Sequence, residues 1–310
     1  MNKKKWLSQI FIAFTFLVSI FAIVIAIMYF QMRSEIVKRF GDDYKIGTVS
    51  WRFLRVYGLA PHRDNRLYSP FIWDYRKQLF DTATKEDFPF LSQLEEMQHL
   101  DLSINTFKTI PTEIRKLKKL QILVMEENSI VVIPPEIGEL QNLTELNLDC
   151  NRITTIPKEI GALKKLETLI LADNYITKIP REIGELQNLT FLNLCLNKIT
   201  IMPPEIGELQ NLVEMDLSFN KITMIPPKIG KLHNLEALVL YNNNINVIPP
   251  EIAQLQKLTR LDLHENTIKI IPKEMSQLKN LRRLNVGKNK VSKKHQKEVS
   301  SWFPRTMVIW

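Results

Sequence analysis

Residues 143–163 read LTELNLDCNRITTIPKEIGAL. Leu146 and Leu148 alternate with polar residues, which puts both on one side of a short extended segment. Asn151 follows, then Ile153, Ile156, Pro157, Ile160, Gly161 and Leu163. The same string runs on in both directions. Asn105, Asn128, Asn151, Asn174, Asn197, Asn220, Asn243, Asn266 and Asn289 stand 23 residues apart, and around each the pattern is L-x-x-L-x-L-x-x-N-x-I-x-x-I-P-x-x-I-G-x-L. EIGELQNL occurs unchanged at 136–143, 182–189 and 205–212.

Each position has a physical reading. A strand this short buries its apolar side only against the next unit, so the units must stack. Parallel strands about 4.8 Å apart would make a sheet roughly 40 Å long over nine units. A buried asparagine is costly unless its amide is paired, so the column of nine is expected to bond the backbone of adjoining turns as a structural ladder. Pro157 and its equivalents suit the first residue of a helical or 3₁₀ turn, where φ is fixed. The glycine of E-I-G is expected to end that turn.

The period and the L/N spacing resemble the leucine-rich repeat family, whose units run over 20–29 residues. The I-P-x-E-I-G-x-L variant is similar to the group common in bacteria. The resemblance covers 97–303. It implies an α/β solenoid, with a curved parallel sheet on a concave face and short helical, 3₁₀ or extended segments on the convex side. It also implies protein binding without catalysis.

The expected organisation is a basic tail at 1–5, an apolar span at 6–30, an aromatic-rich stretch at 31–96, nine repeats at 97–291 and a cap at 292–310. Trp6 to Phe30 holds 25 residues with no formal charge. At about 1.5 Å per residue this crosses a bilayer core of about 30 Å. Trp6, Tyr29 and Phe30 sit at its ends, where aromatic rings favour the interface. A cleaved signal peptide is the competing reading, but its apolar region would be about 7–15 residues with a small-residue cleavage site. An uncleaved single-pass anchor is therefore expected. Lys3, Lys4 and Lys5 precede the span and Arg33, Lys38, Arg39 and Lys45 follow it. The short lysine-rich tail favours repeats on the extracytoplasmic side.

Residues 31–90 carry 12 of the 27 aromatics, which a flexible linker would not. Two readings are open: a cap on the solenoid, or a module binding a membrane surface or partner through Arg52, Arg55, Arg63 and Arg66 among Trp51, Phe53 and Tyr68. Val49–Tyr57 alternates as one strand and Tyr75–Thr82 suits a short helix. Phe88, Phe90, Leu91 and Leu94 are expected to cover the first repeat. At the other end Ser292 can cap a helix to Phe303, with Val299, Trp302 and Phe303 on one face, before a last strand in Thr306–Trp310.

No phosphate-binding, dinucleotide, zinc-protease or serine-hydrolase motif occurs. The five histidines are scattered, and Cys150 and Cys195 lie about 10 Å apart by strand spacing, beyond disulfide reach. No catalytic residue, cofactor or metal site is expected; the spacing of the acidic residues is not that of a calcium loop. The net charge of +9 suits phosphate or anionic lipid but is too diffuse for nucleic acid. Asn142 and Asn188 form N-x-T sequons that are by-products of the Q-N-L-T repeat.

Binding is left, and it falls to the residues that vary. Units two to four offer Glu126, Glu127, Glu145, Asn147, Asp149 and Asp173. Units four to seven offer Ile170, Phe191, Leu196, Phe219, Val239 and Tyr241. Units eight and nine offer Arg260, Arg282, Arg283 and Lys288. The concave surface is expected to run acidic, then apolar and aromatic, then basic, with the apolar residues and the arginines as partner-binding candidates. The expected partner is another protein, with the bilayer holding residues 6–30 and no nucleic acid or small-molecule substrate. The alternative is an adhesive or secreted effector-type protein that binds host or matrix material.

Overall fold

The computed structural model describes residues 97–105 and 107–310, with the strands Val49–Ser50 and Arg55–Val56. All belong to the larger of two units of the chain, Thr48–Tyr57 with His62–Trp310. The span at 6–30, the helix at 75–82 and the cap residues Phe88 to Leu94 lie outside the described residues.

Among the described residues, twelve strands form a single sheet. Each repeat contributes three residues, from His99–Asp101 to Arg283–Asn285, paired in parallel and in register with its neighbours. The middle residue of each of these repeat strands is buried and points into the solenoid; Leu146, Leu169 and Leu192 are fully covered. Val49–Ser50 adds in parallel to His99–Asp101, and Arg55–Val56 pairs antiparallel with it. The stretch expected to be one strand over Val49–Tyr57 is thus two short strands.

Each turn side is a five-residue 3₁₀ helix, such as Lys158–Ala162 after Pro157 (φ −69°, ψ 151°). The proline sits in extended backbone just outside the helix and needs no amide hydrogen there. Ile160 points inward and is buried. Gly161, expected to end the helix, lies inside it. Its equivalents serve close approach instead: a Cβ on Gly184 would lie 2.5 Å from Glu205 O of the next unit. Real Cβ atoms do not come that near a carbonyl, so these five turns need glycine at this distance, while Ala253 holds the equivalent position in its own unit.

The asparagine column joins the two sides. Asn151 Nδ2 donates to Met125 O of the preceding unit (2.9 Å), to Leu148 O (3.1 Å) and to Asp149 O (3.0 Å). Its Oδ1 accepts from Ile130 N (2.9 Å). The same set recurs from Asn128 to Asn289. Asn105 in the first unit donates to Leu102 O and Ser103 O. A second, exposed column uses the asparagine of x-N-L, the position filled by Q-N-L in three units. Asn142, Asn188, Asn211, Asn234 and Asn280 each donate to a carbonyl of the unit before. The two sequon asparagines therefore fill a structural position.

The C-terminal end is closed by the helix Lys293–Trp302, whose cap Ser292 accepts from His295 N. Val299 and Phe303 are buried against the last repeat. The strand Met307–Ile309 then pairs in parallel with Arg283–Asn285.

Candidate binding surface

The residues on either side of each buried strand leucine form the strand face, the surface expected to be concave. In one row the register sets Glu145, Thr168, Phe191, Glu214, Ala237, Arg260 and Arg283 side by side. The parallel row runs Asn147, Ile170, Asn193, Asp216, Val239, Asp262 and Asn285. Aspartates and asparagines in this second row act locally. Asp216 Oδ1 accepts from Ser218 N (2.8 Å), and Asn193 and Asp262 do the same for Cys195 N and His264 N. Each makes the Asx turn that leads the chain out of its strand. Ile170 and Val239 cannot.

Past this turn the backbone does something residue types do not announce. The residue before every ladder asparagine has positive φ, between 45° and 54°: Ile104, Glu127, Cys150, Asp173, Leu196, Phe219, Asn242, Glu265 and Lys288. Only aspartate and asparagine take this region readily, and it costs other L-residues of order 1–2 kcal/mol. The ladder enforces it. Leu196 N donates to Ser218 O and Phe219 N to Tyr241 O, each at 3.0 Å. As a result these side chains are turned outward.

Three of the expected contact residues stand in successive units here. Leu196 is 46% and Phe219 38% exposed. They hold equivalent positions in neighbouring units, and the Tyr241 ring packs edge-on against Phe219 with centroids 4.7 Å apart. Burial is the main cause that pushes the Tyr241 hydroxyl above its ordinary range, with Ser218 bonding it in opposition. Phe191 is half-buried and lies elsewhere on the face, flanked by Thr168 and Glu214. Ile170, in the adjacent strand, is its diagonal neighbour.

Two candidates sit differently from expectation. Val239 is only 7% exposed, between Asp216 and Asp262, and forms floor rather than contact. Arg282 precedes its strand, and its N–H shares Thr259 O with Arg283. It stands at the rim, in line with Thr259. Arg260 and Arg283 are exposed cross-strand neighbours. Asp262 lies 4.0 Å from the Arg260 guanidinium, so the basic end is not free of acids.

At the acidic end, Asn147 Nδ2 donates to Glu126 Oε2 (3.0 Å). Burial raises the Glu145 and Asp149 carboxyls. Burial, then Asp149, pushes the Cys150 thiol up to about 12; burial, then Asp216, does the same to Cys195. Such thiols remain protonated and are poor nucleophiles at neutral pH. Both cysteines are free. Among the described residues no cluster of three or more acids, histidines or cysteines is placed to hold a metal ion.

A parallel sheet of one strand per unit, 3₁₀ turns opposite it and an asparagine column between them define a leucine-rich repeat solenoid. Family profiles agree: one for a leucine-rich repeat region matches residues 77–169 and 143–220, and one for a leucine-rich repeat matches 210–253 and 233–291. Together they span more than half of the chain, which belongs to the leucine-rich repeat family. A leucine-rich repeat protein of Leptospira interrogans is similar over 71% of this chain and 56% of that one, at 44% identity and a TM-score of 0.69. A plant peptide hormone receptor, solved in complex with RGF2, is similar over 64% of this chain and 33% of its own, at 35% identity and a TM-score of 0.60. An internalin from Listeria monocytogenes shares the fold at 20% identity, over 70% of this chain and 68% of that one, with a TM-score of 0.54. The matched region is thus less than two-thirds of the first two of these chains. No curated protein matches the chain.

Proposed function

We propose that this protein is a membrane-anchored recognition scaffold whose strand face binds another protein. The observation that carries the reading is the Leu196, Phe219 and Tyr241 cluster. Two large apolar side chains are held exposed on left-handed backbone that a smaller polar residue would tolerate better. The backbone conformation is shared by all nine units, and what distinguishes this place is the exposed apolar patch, which marks an interaction site. Aromatic side chains of this kind are frequent hot spots. The plant receptor similar to this chain is itself a complex, which supports a protein or peptide as the kind of ligand.

The anchor in this reading is the uncharged run 6–30, with the repeats on the extracytoplasmic side. The test is site-specific photo-crosslinking in producing cells. A photoreactive phenylalanine analogue at Phe219 or Tyr241 yields a discrete adduct, and one at Lys158 on the turn side does not. Equal adducts at all three positions sink the reading. Alkaline extraction of membranes reads the anchor separately: release of the chain into the soluble fraction removes it.

A second reading has its own support in the exposed Arg260 and Arg283 pair. Like charges directly opposite each other on a sheet are unfavourable, and Asp262, 4.0 Å from Arg260, offsets this only in part. An adhesive protein holding acidic host or matrix material would use them. Its binding falls steeply as ionic strength rises, whereas binding through the apolar cluster does not.

A further inference from the structure

The four residues after each ladder asparagine form one flank of the solenoid, and their side chains follow a pattern of their own. The fourth of them is Ile201, Met224, Val247 and Ile270 in units five to eight, and these are 62%, 61%, 59% and 68% exposed. They lie side by side: Met224 and Val247 form a parallel bridge. At strand spacing the row is roughly 15 Å long. On the same flank Tyr175, 46% exposed, follows the asparagine of unit four, with Lys198 Nζ 4.4 Å from its ring centre.

The charge on this flank is one-sided. Across all nine units the four residues after the asparagine include Lys108, Arg152, Lys178, Lys198, Lys221, Lys269, Lys290 and Lys293 and no aspartate or glutamate. The opposite end of each unit is mixed. There Lys118 pairs with Glu139, Lys164 with Glu185, and Lys228 and Lys231 with Glu208.

We propose that this flank rests on an anionic phospholipid surface. A row of exposed aliphatic side chains bordered by lysines and a tyrosine, with carboxylates absent, has the composition of an interfacial membrane contact. Lysines or an arginine stand in seven of the nine units, from the first to the ninth, with units two and seven carrying none, a spread that suits a planar anionic surface better than one small partner. A second copy of the chain is disfavoured because two such flanks would set lysine against lysine. The inference rests on described residues and does not depend on the anchor at 6–30.

The test uses the full chain with Cys150→Ser and Cys195→Ser. A polarity-sensitive dye is placed at Val247→Cys or, on the strand face, at Glu214→Cys. The chain is reconstituted with phosphatidylcholine vesicles that contain or lack phosphatidylglycerol. Melting curves first establish that each labelled chain is folded. The dye at 247 is expected to shift to the blue and to be quenched by nitroxide-labelled lipid severalfold more in the anionic vesicles, while the dye at 214 does not change. Lys198→Gln with Lys221→Gln removes the anionic preference. Equal signals in the two lipids, or equal responses at 247 and 214, overturn the proposal. So does a response to soluble polyglutamate with none to vesicles, which assigns the flank to an acidic protein. Flotation with the neutral vesicles reports on the 6–30 anchor alone, so its failure is distinguishable from failure of the flank.

Discussion

The turn side and the strand face of this solenoid obey different rules. On the turn side EIGELQNL stands three times without a change, and its buried residues and its amides hold neighbouring units together. Ile183 is buried, Gly184 lets the next carbonyl approach, Gln187 Nε2 donates to Gly184 O and Asn188 Nδ2 to Lys164 O. On the strand face, Glu145, Thr168, Phe191, Glu214, Ala237 and Arg260 occupy one row with nothing in common. Sameness marks residues that hold the units together, and difference marks residues that stacking leaves free to vary.

The largest effect is expected where the two sides meet. Asn174→Ala leaves Leu148 O, Ala172 O and Ile153 N without their buried partner. Unfolding experiments should show a loss of about 4 kcal/mol. Asn188→Ala, in the exposed column, should cost within about 0.5 kcal/mol because water replaces the amide. Similar losses from the two would break the distinction between buried and exposed ladders.

Next comes the turn side itself. Gly184→Ala drives a Cβ to 2.5 Å from Glu205 O, a backbone atom that cannot swing aside. Denaturant melts should show about 3 kcal/mol of destabilisation, as for overpacking elsewhere. Thr168→Ala, on the strand face, should stay within about 0.5 kcal/mol.

A smaller effect of opposite sign is expected at Leu196. Leu196→Asn places a residue suited to φ 54°, as Asn242 already is in its own unit. It should raise stability by about 1 kcal/mol.

The smallest is a pH effect at the acidic end. Burial raises the Glu145 and Asp149 carboxyls, with Asp173 and Glu127 adding to the rise at Asp149. A raised folded pKa means that the fold holds these protons more tightly than the unfolded chain does. Stability therefore falls as pH rises from the ordinary carboxylate value, about 4, through the raised one. Glu145→Gln with Asp149→Asn should flatten that part of the stability–pH curve, with an unchanged slope counting against the assignment.

Most of the fold is legible in the sequence because local pattern and stacking demand the same thing at Leu146, Asn151, Pro157 and Ile160. What is not legible depends on neighbours in space. Gly161 reads as a helix end, yet what it meets is the next unit. Val239 reads as open, yet the aspartates beside it and its neighbours cover it. The left-handed residue before each asparagine carries no signal in its identity, since Ile, Glu, Cys, Leu, Phe and Lys all occur there. Of the candidate site, the sequence names Leu196, Phe219 and Tyr241 but not that Phe219 and Tyr241 pack together, nor that Phe191 stands apart from them. The apolar row at Ile201, Met224, Val247 and Ile270 could have been read by aligning the column four residues after the asparagine. It was hidden because such residues resemble the buried isoleucines on either side of them.

The most direct test of the division between holding and binding is to measure melting and cross-linking on the same Leu196→Asn variant. A melting temperature that rises, with the Phe219 photo-adduct reduced about tenfold, is the result expected if Leu196 is kept for a partner at a cost in strain. A melting temperature that falls, with the adduct undiminished, would show that Leu196 serves the fold and would contradict the assignment of the strand face to binding.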